Sequence, residues 1–193
     1  MSTLAKAEAA LAALNPKPFP LPVGNLAGTI EGAFAGMDRR CWVVAGPRER
    51  IGAVLRGCPV ERLVDPSAGA RPYKLAPVST APGTRALHAV GLALAEQSPV
   101  LCFLGMASAA TGCFHEALNL ATLTQAPVIF LVTIQNLGED APINEQISAS
   151  PAALAEAHGL QAHRVSATRD AVEAAVSAAC QTKIPTLIEA SLE

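Results

Sequence analysis

The second half of the chain alternates short apolar runs with longer stretches of helical periodicity. Four of the runs have the length of a strand: residues 99–104, 127–132, 161–165 and 185–190. The other stretches predict helices over residues 84–96, 114–124, 150–159 and 168–180. Apolar runs without polar alternation are typical of strands that are covered on both faces. The pattern therefore predicts an α/β fold, with three α/β/α layers around a mainly parallel sheet.

Capping signals mark the ends of several predicted helices. Thr84, Ser150 and Thr168 stand where a side-chain oxygen can cap a first helical turn. Pro47 suits the first position of a helix, and Gly57 suits the residue that follows its last turn. These two residues predict one further helix between them.

The N-terminal region has a simpler composition. Residues 3–14 predict an Ala/Leu helix, and the four alternate prolines that follow predict an extended arm. Residues 26–36 are rich in Gly and Ala, which predicts a helix that packs closely against its neighbour. We therefore divide the chain into an N-terminal helix with a Pro-rich arm, residues 1–40, and an α/β domain, residues 41–193.

Two loops are candidates for a binding site. In parallel α/β sheets, ligands bind beyond the carboxyl ends of the strands. Residues 105–112 form a loop of small residues, and residues 135–150 form a long polar loop. Both follow the most apolar strands, which we expect at the centre of the sheet.

Composition and charge narrow the functional classes. Apolar residues make up 51% of the 193 residues and charged residues 16%, which excludes an intrinsically disordered chain. The net charge of −2, without a basic patch, argues against a nucleic-acid partner. The uncharged stretch 117–138 divides into a helix and a strand, so we expect no membrane span. Five cysteines without a CxxC pair indicate reduced thiols and a cytoplasmic protein.

One segment resembles the cofactor motif of a known family. Residues 105–138 read GMASAATGCFHEALNLATLTQAPVIFLVTIQNLG. They are similar to the alpha subunit of the thiamine-diphosphate-dependent decarboxylating component of 2-oxo acid (pyruvate and branched-chain) dehydrogenases, whose F-H-E-A-L-N helix recurs here without change. Further collinear blocks are similar to the same family: residues 42–49, 86–95, 148–157 and 185–190. The resemblance covers about residues 41–193 and implies a thiamine-diphosphate-binding fold.

The resemblance also implies where a cofactor would be held. In that family an Asp, the second Asn of an N-N pair and a backbone carbonyl two residues later bind a divalent cation that bridges the diphosphate to the protein. Such a hard cation prefers oxygen ligands. A Y-R-E motif adds a diphosphate contact. The cofactor-binding positions that the resemblance marks in this chain are Arg48, Gly105, Met106, Ala107, Gln135 and Leu137.

These positions lack most of the expected chemistry. Met106 replaces the Asp with a soft, neutral thioether, which is a poor ligand for magnesium. Ile134 replaces the first Asn, and Pro47 replaces the Tyr of Y-R-E. Only the side chain of Gln135 and the carbonyl of Leu137 remain as weak, neutral ligands. Because the family's His-bearing loop would follow residue 193, we expect no catalytic residue, no bound metal and no thiamine diphosphate.

Other polar residues allow two interpretations. His115 and Glu116 are adjacent, as acid–base groups can be, but we favour a structural role at a subunit interface. His88 either lines a pocket or is a hydrogen-bonded core histidine. Cys113 is either an activated thiol or a buried inert one, with the inert thiol favoured. The pair 139–140, Glu-Asp, would repel a diphosphate, recruit a metal or form a solvated loop tip.

Three hypotheses for function follow. The first is a non-catalytic structural or regulatory subunit that keeps the fold of the family. The second is a thiamine-diphosphate and magnesium enzyme that becomes active with a beta-like partner. The third is a module that binds a small ligand in the altered pocket, which these substitutions make more apolar. All three imply a homodimer or a heteromer with a beta-like subunit.

Overall fold

In the part of the chain that the structure describes, five parallel strands form a sheet with helices on both faces. The computed structural model describes residues 1–14, 22–65, 69–79, 81, 83–135 and 147–192. The strands are β1 (Val43–Val44), β2 (Val100–Gly105), β3 (Val128–Ile134), β4 (Gln161–Ser166) and β5 (Thr186–Ser191). The α-helices are α1 (Thr3–Leu14), α2 (Ala27–Gly36), α3 (Thr84–Glu96), α4 (Met106–Ala109), α5 (Gly112–Thr124), α6 (Pro151–Ala157) and α7 (Arg169–Thr182). Shorter 3₁₀ helices span Gly24–Leu26, Glu49–Arg56, Val60–Leu63 and Arg71–Tyr73.

The sheet has the order β1-β2-β3-β5-β4, and every pairing is parallel. The most apolar strand, β3, lies in the middle, and β2 is its neighbour, as their composition predicts. Strand β4 lies at an edge and is largely exposed, which explains its more polar sequence. The prediction of an α/β fold around a parallel sheet is confirmed.

Two elements differ from the prediction. The small-residue loop 105–112 contains a single helical turn, α4, which ends where the Thr111 hydroxyl donates to the Ser108 carbonyl over 2.7 Å. The helix predicted after Pro47 is instead a 3₁₀ helix that begins at Glu49. Gly57 does end it in the left-handed conformation, with φ of 86°.

The capping predictions are partly correct. The Ser150 hydroxyl accepts a bond from the Ala153 N–H over 3.1 Å and caps α6. Thr84 is itself the first residue of α3, and its hydroxyl donates to the Ala81 carbonyl over 2.9 Å. The Thr168 hydroxyl pairs with another hydroxyl at the end of β4, so it makes no cap either.

Each face of the sheet has its own hydrophobic core. Helices α3, α5 and α6 cover one face, where Phe114 and Phe130 meet edge to face with ring centroids 6.2 Å apart. Helices α1, α2 and α7 cover the other face, where Phe34 stacks on Phe103 at 6.0 Å. The two N-terminal helices therefore contribute to the same core as the sheet. The domain boundary at residue 40 stays a prediction.

Helices α2 and α7 approach each other at their backbones. Gly28, Gly32 and Gly36 form one stripe along α2. A Cβ atom at Gly32 would overlap the Arg169 carbonyl oxygen of α7, and one at Gly36 would lie 2.6 Å from the Glu173 carbonyl oxygen. This contact matches the close packing predicted from the Gly/Ala content. None of the helices in the described ranges combines the length and apolar character that crossing a membrane requires.

Candidate functional site

A cavity of about 230 Å³ lies at the carboxyl edge of the sheet. Its lining residues are Leu26, Arg48, Glu49, Gly105, Met106, Ala107, Thr133 and Gln135. Five of the six predicted cofactor-binding positions are therefore brought together in one place. The sixth, Leu137, lies outside the described residues, as does the acidic pair 139–140.

The ends of the two central strands form the floor of the cavity. Gly105 is the last residue of β2 and lies opposite Thr133 of β3. The Thr133 hydroxyl donates to the Leu104 carbonyl over 3.3 Å and ties the two strand ends together. Met106 begins α4 directly after Gly105, so the strand register fixes the position of its side chain.

The opposite wall comes from the segment before α2. The side-chain amide of Gln135 donates to the Asn25 side-chain oxygen over 3.5 Å. Leu26, the next residue, lines the cavity directly. Sequence reasoning missed both residues of this wall, because they lie about 80 positions from the motif and belong to none of its blocks.

Two charged groups border the cavity. The Nε of Arg48 is buried and has no hydrogen-bond partner among the described residues. The second charged group, the Glu49 carboxylate, lies against Gly46, as does the Arg85 guanidinium. A Cβ atom added at Gly46 would overlap the carboxylate and would lie 3.1 Å from Arg85 Nη1. Arg48 lines the cavity, and none of the ion pairs between described residues includes it.

The donors at this cavity do not fit a magnesium-bound diphosphate. Met106 presents sulfur where the family motif places a carboxylate, and sulfur is a poor partner for a hard cation. In the described residues, no group of three or more His, Cys, Asp or Glu side chains is arranged to hold a metal. Among the described residues, the lining provides one guanidinium, one carboxylate, one amide, one hydroxyl and an apolar wall.

The other predicted residues lie away from this cavity. His115 and Glu116 are exposed on the outer side of α5, and the His115 ring contacts the His158 ring at 6.0 Å between centroids. His88 is also exposed, on the wall of a separate groove of about 680 Å³ beside residues 76–79, so it is not a core histidine. Cys113 is half-buried. None of these four residues is among those that line the candidate site.

Comparison with known proteins places the chain among 2-oxo acid dehydrogenase components. Residues 70–192 match the family model described as dehydrogenase E1 component. The 3-methyl-2-oxobutanoate dehydrogenase subunit alpha of Mycobacterium tuberculosis, from strains CDC 1551 / Oshkosh and H37Rv, is 36% identical over 126 residues. Each alignment covers 60% of this chain and 34% of the relative. The chain therefore spans about a third of the length of these curated relatives.

Solved structures share the fold at low sequence identity. The transketolase of Campylobacter jejuni superposes with a TM-score of 0.61 and 17% identity, covering 97% of this chain and 32% of that one. A candidate thiamin diphosphate-dependent enzyme of Mycobacterium smegmatis gives a TM-score of 0.58 and 16% identity, covering 84% of this chain and 31% of that one. At such identities the likeness shows the fold alone, and it confirms the predicted thiamine-diphosphate-binding fold.

Proposed function

Because the chain belongs to the dehydrogenase E1 component family, we propose that it is an alpha-like member without a catalytic site of its own. Its role is that of a structural or regulatory subunit. The observation that supports this proposal is Met106, which lines the cavity at the position of the family's metal-binding Asp. Family membership gives the fold, and the function must be argued from this site.

The exchange of a carboxylate for a thioether removes the strongest ligand from the site. A diphosphate brings several negative charges, and a bridging cation needs charged oxygen donors to bind beside them. Met106 supplies no charge, and Gln135 supplies at most one neutral oxygen. Glu49, beside Arg48, is the one carboxylate among the described residues that line the cavity. Arg48 can attract an anion but cannot hold a cation. The remaining groups thus favour a weak anion contact over a metal–diphosphate complex.

Helix α5 retains the features that an assembly needs. Phe114, Ala117 and Leu118 of the family-like helix are buried and hold α5 on the sheet. On its outer side, Leu120 and Leu123 are exposed, the latter by 74%. These two leucines lie one turn apart on the exposed side of α5 and form an apolar patch that a second subunit can cover. We therefore propose a homodimer or a heteromer with a beta-like chain, with α5 at the contact.

A small-ligand function is the second candidate. The cavity of about 230 Å³ combines the apolar side chains of Leu26 and Met106 with the unpartnered Nε of Arg48. Ligand sites commonly pair an apolar wall with a few polar groups that orient the ligand. This candidate predicts that a small carboxylic acid binds to the purified protein and that Arg48→Ala abolishes its binding.

The test of the main proposal is calorimetric titration with thiamine diphosphate and magnesium. Three proteins are compared: the parent, Met106→Asp and the matched control Met106→Leu, which removes the sulfur without adding a charge. We expect no binding by the parent or the control. Micromolar binding by the parent would contradict the proposal and would favour an enzyme that works with a beta-like partner. Binding by Met106→Asp alone would show that this one position decides cofactor loss.

Assembly is tested separately by size-exclusion chromatography with light scattering. We expect the parent to be larger than a monomer at micromolar concentration, and Leu123→Glu to dissociate it. Glu96→Ala, a change at an exposed position on α3, is the control and should leave the assembly intact. A monomeric parent in the presence and absence of a beta-like chain would contradict the proposed subunit role.

A further inference from the structure

Two cysteines and one methionine pack against the same core where α2 ends against α7, on the other face of the sheet from α5. Cys180 lies in α7, Met37 follows α2, and Cys41 follows the turn after it. The Cys180 thiol donates to Met37 Sδ over 3.2 Å. Cys41 and Cys180 line the same cavity of about 480 Å³. From this juxtaposition we infer a binding site for a soft monovalent cation of the copper(I) type, with Cys41, Cys180 and Met37 as ligands.

The backbone holds this sulfur cluster (Met37, Cys41 and Cys180) in place without the ion. The Cys41 N–H donates to the Asp38 carbonyl over 3.0 Å and closes the turn between Met37 and Cys41. Arg56 then donates to the Cys41 carbonyl at 2.9 Å and to the Asp38 carbonyl at 3.3 Å. Met37 is only 3% exposed, so its thioether has little freedom to turn away. A site whose ligands are already arranged loses less entropy when it binds an ion.

The ligand chemistry selects a soft ion. Thiolates and thioethers favour copper(I), whereas magnesium and calcium require oxygen ligands. A structural zinc site takes four ligands from Cys, His and carboxylates. In the described part of the chain, no three such side chains are grouped for a metal. The thioether of Met37, which suits copper(I), is the third donor that this cluster provides.

Binding of the ion exchanges protons for metal–sulfur bonds. The thiols of Cys41 and Cys180 release their protons to solvent, and each sulfur then forms one bond to the ion. The Met37 thioether adds a third bond without losing a proton, and no atom changes its oxidation state.

Positively charged side chains near the sulfur cluster balance the negative charge of the occupied site. Two thiolates around one monovalent ion leave a net charge of −1. Arg56 is 7% exposed and lies beside Cys41, and its Nε has no hydrogen-bond partner among the described residues. Lys183 lines the same cavity as the two thiols. Arg40 lines it too, but its charge is paired with the Asp38 carboxylate, which lies 2.7 Å away. Arg56 and Lys183 are therefore the cations that offset the charge created by binding.

The test is anaerobic titration with copper(I) in competition with a chromophoric copper(I) chelator. We expect one ion per chain, and a loss of affinity of at least about tenfold in Cys41→Ser, in Cys180→Ser and in Met37→Leu. Cys113→Ser removes a half-buried thiol outside the cluster and is the matched control, which should bind as the parent does. Equal affinity in the parent and both cluster serine variants would overturn the inference.

A second measurement uses the unaltered protein, in case the variants do not fold. Alkylation of each thiol by iodoacetamide is followed by mass spectrometry with and without one equivalent of copper(I). We expect copper to protect Cys180 and Cys41 and to leave the rate at Cys113 unchanged. Protection of Cys113 alone, or of no thiol, would overturn the proposed site.

Discussion

The contact between α2 and α7 predicts a sharp difference between two glycine-to-alanine substitutions. Gly32 faces the backbone of α7, where a Cβ would overlap the Arg169 carbonyl oxygen and lie 3.0 Å from the Glu173 backbone nitrogen. Gly91, in α3, is exposed, and a Cβ added there would meet no described atom within 4 Å beyond its own helix. Both glycines lie inside helices, so replacing either one by Ala brings the same gain in intrinsic helix propensity.

The expected magnitudes follow from two opposing effects. Replacing Gly by Ala within a helix stabilises it by about 0.5–1 kcal/mol. Overpacking a tight contact costs about 1–3 kcal/mol. At Gly32 the obstacle is backbone and cannot rotate aside, so the cost lies in the upper part of this range, at about 2–3 kcal/mol, and subtracting the helix gain leaves a net loss of about 1–2 kcal/mol. At Gly91 only the gain remains. The two variants should therefore differ by about 2–3 kcal/mol in free energy of unfolding.

Urea unfolding followed by circular dichroism measures this difference directly. For a chain of this length, a net loss of about 1–2 kcal/mol at Gly32 corresponds to a fall of about 2–8 °C in Tm. An unchanged m-value would show that the substitution leaves the surface exposed on unfolding unaltered, so that the change in midpoint reports stability. If Gly32→Ala proved as stable as Gly91→Ala, the helices would not be in backbone contact, and the argument for close packing would be refuted.

Three further predictions concern the core, a cap and a surface pair. Phe114→Ala should lower the free energy of unfolding by about 3–5 kcal/mol in urea, because it empties a fully buried site. Leu123→Ala, on the exposed side of the same helix, should change it by less than about 0.5 kcal/mol at a protein concentration low enough for the chain to be monomeric, and equal effects would contradict the assigned faces. Ser150→Ala should cost about 1 kcal/mol by the same assay, through loss of the α6 cap, and a neutral result would argue against that bond in solution. Hydrogen bonds from Arg40 lower the pKa of Asp38 to about 2, so the Asp38 contribution is complete above about pH 4 and disappears as the pH falls toward about 2. The parent and Asp38→Asn should accordingly differ slightly in Tm at about pH 7, since the pair is exposed, and converge near the pKa of Asp38; a difference that grows in acid would refute the assignment.

The fold was predictable because its signals are local. Strands β2 and β3 are apolar at nearly every position, and this is the pattern of central parallel strands. The helix at 106–109 was not predicted, because a run of Ala and Ser next to Gly has the composition of a loop. Its formation depends on the end of β2 and on the bond from Thr111 to Ser108, and neither is visible in a short window.

The site was predictable only where a motif marks it. The resemblance placed Arg48, Met106 and Gln135 together, and they line one cavity. Leu26 and Asn25 were missed, since the packing of α2 against α7 brings them to the cavity. The sulfur cluster was also missed, because its three residues come from two separate parts of the chain and form no spaced motif.

The backbone floor of the cavity does not depend on the side chain at position 106. This floor is fixed by the pairing of Gly105 with Thr133 and by the bond from Thr133 to the Leu104 carbonyl. Met106 is half-buried and starts a helix, where a carboxylate interacts favourably with the exposed N–H groups. An aspartate at this position is therefore compatible with the backbone as it stands. The absence of a carboxylate at position 106 is a matter of chemistry rather than of shape. The calorimetric comparison of Met106→Asp with the parent therefore tests the proposed loss of cofactor binding separately from a general loss of structure.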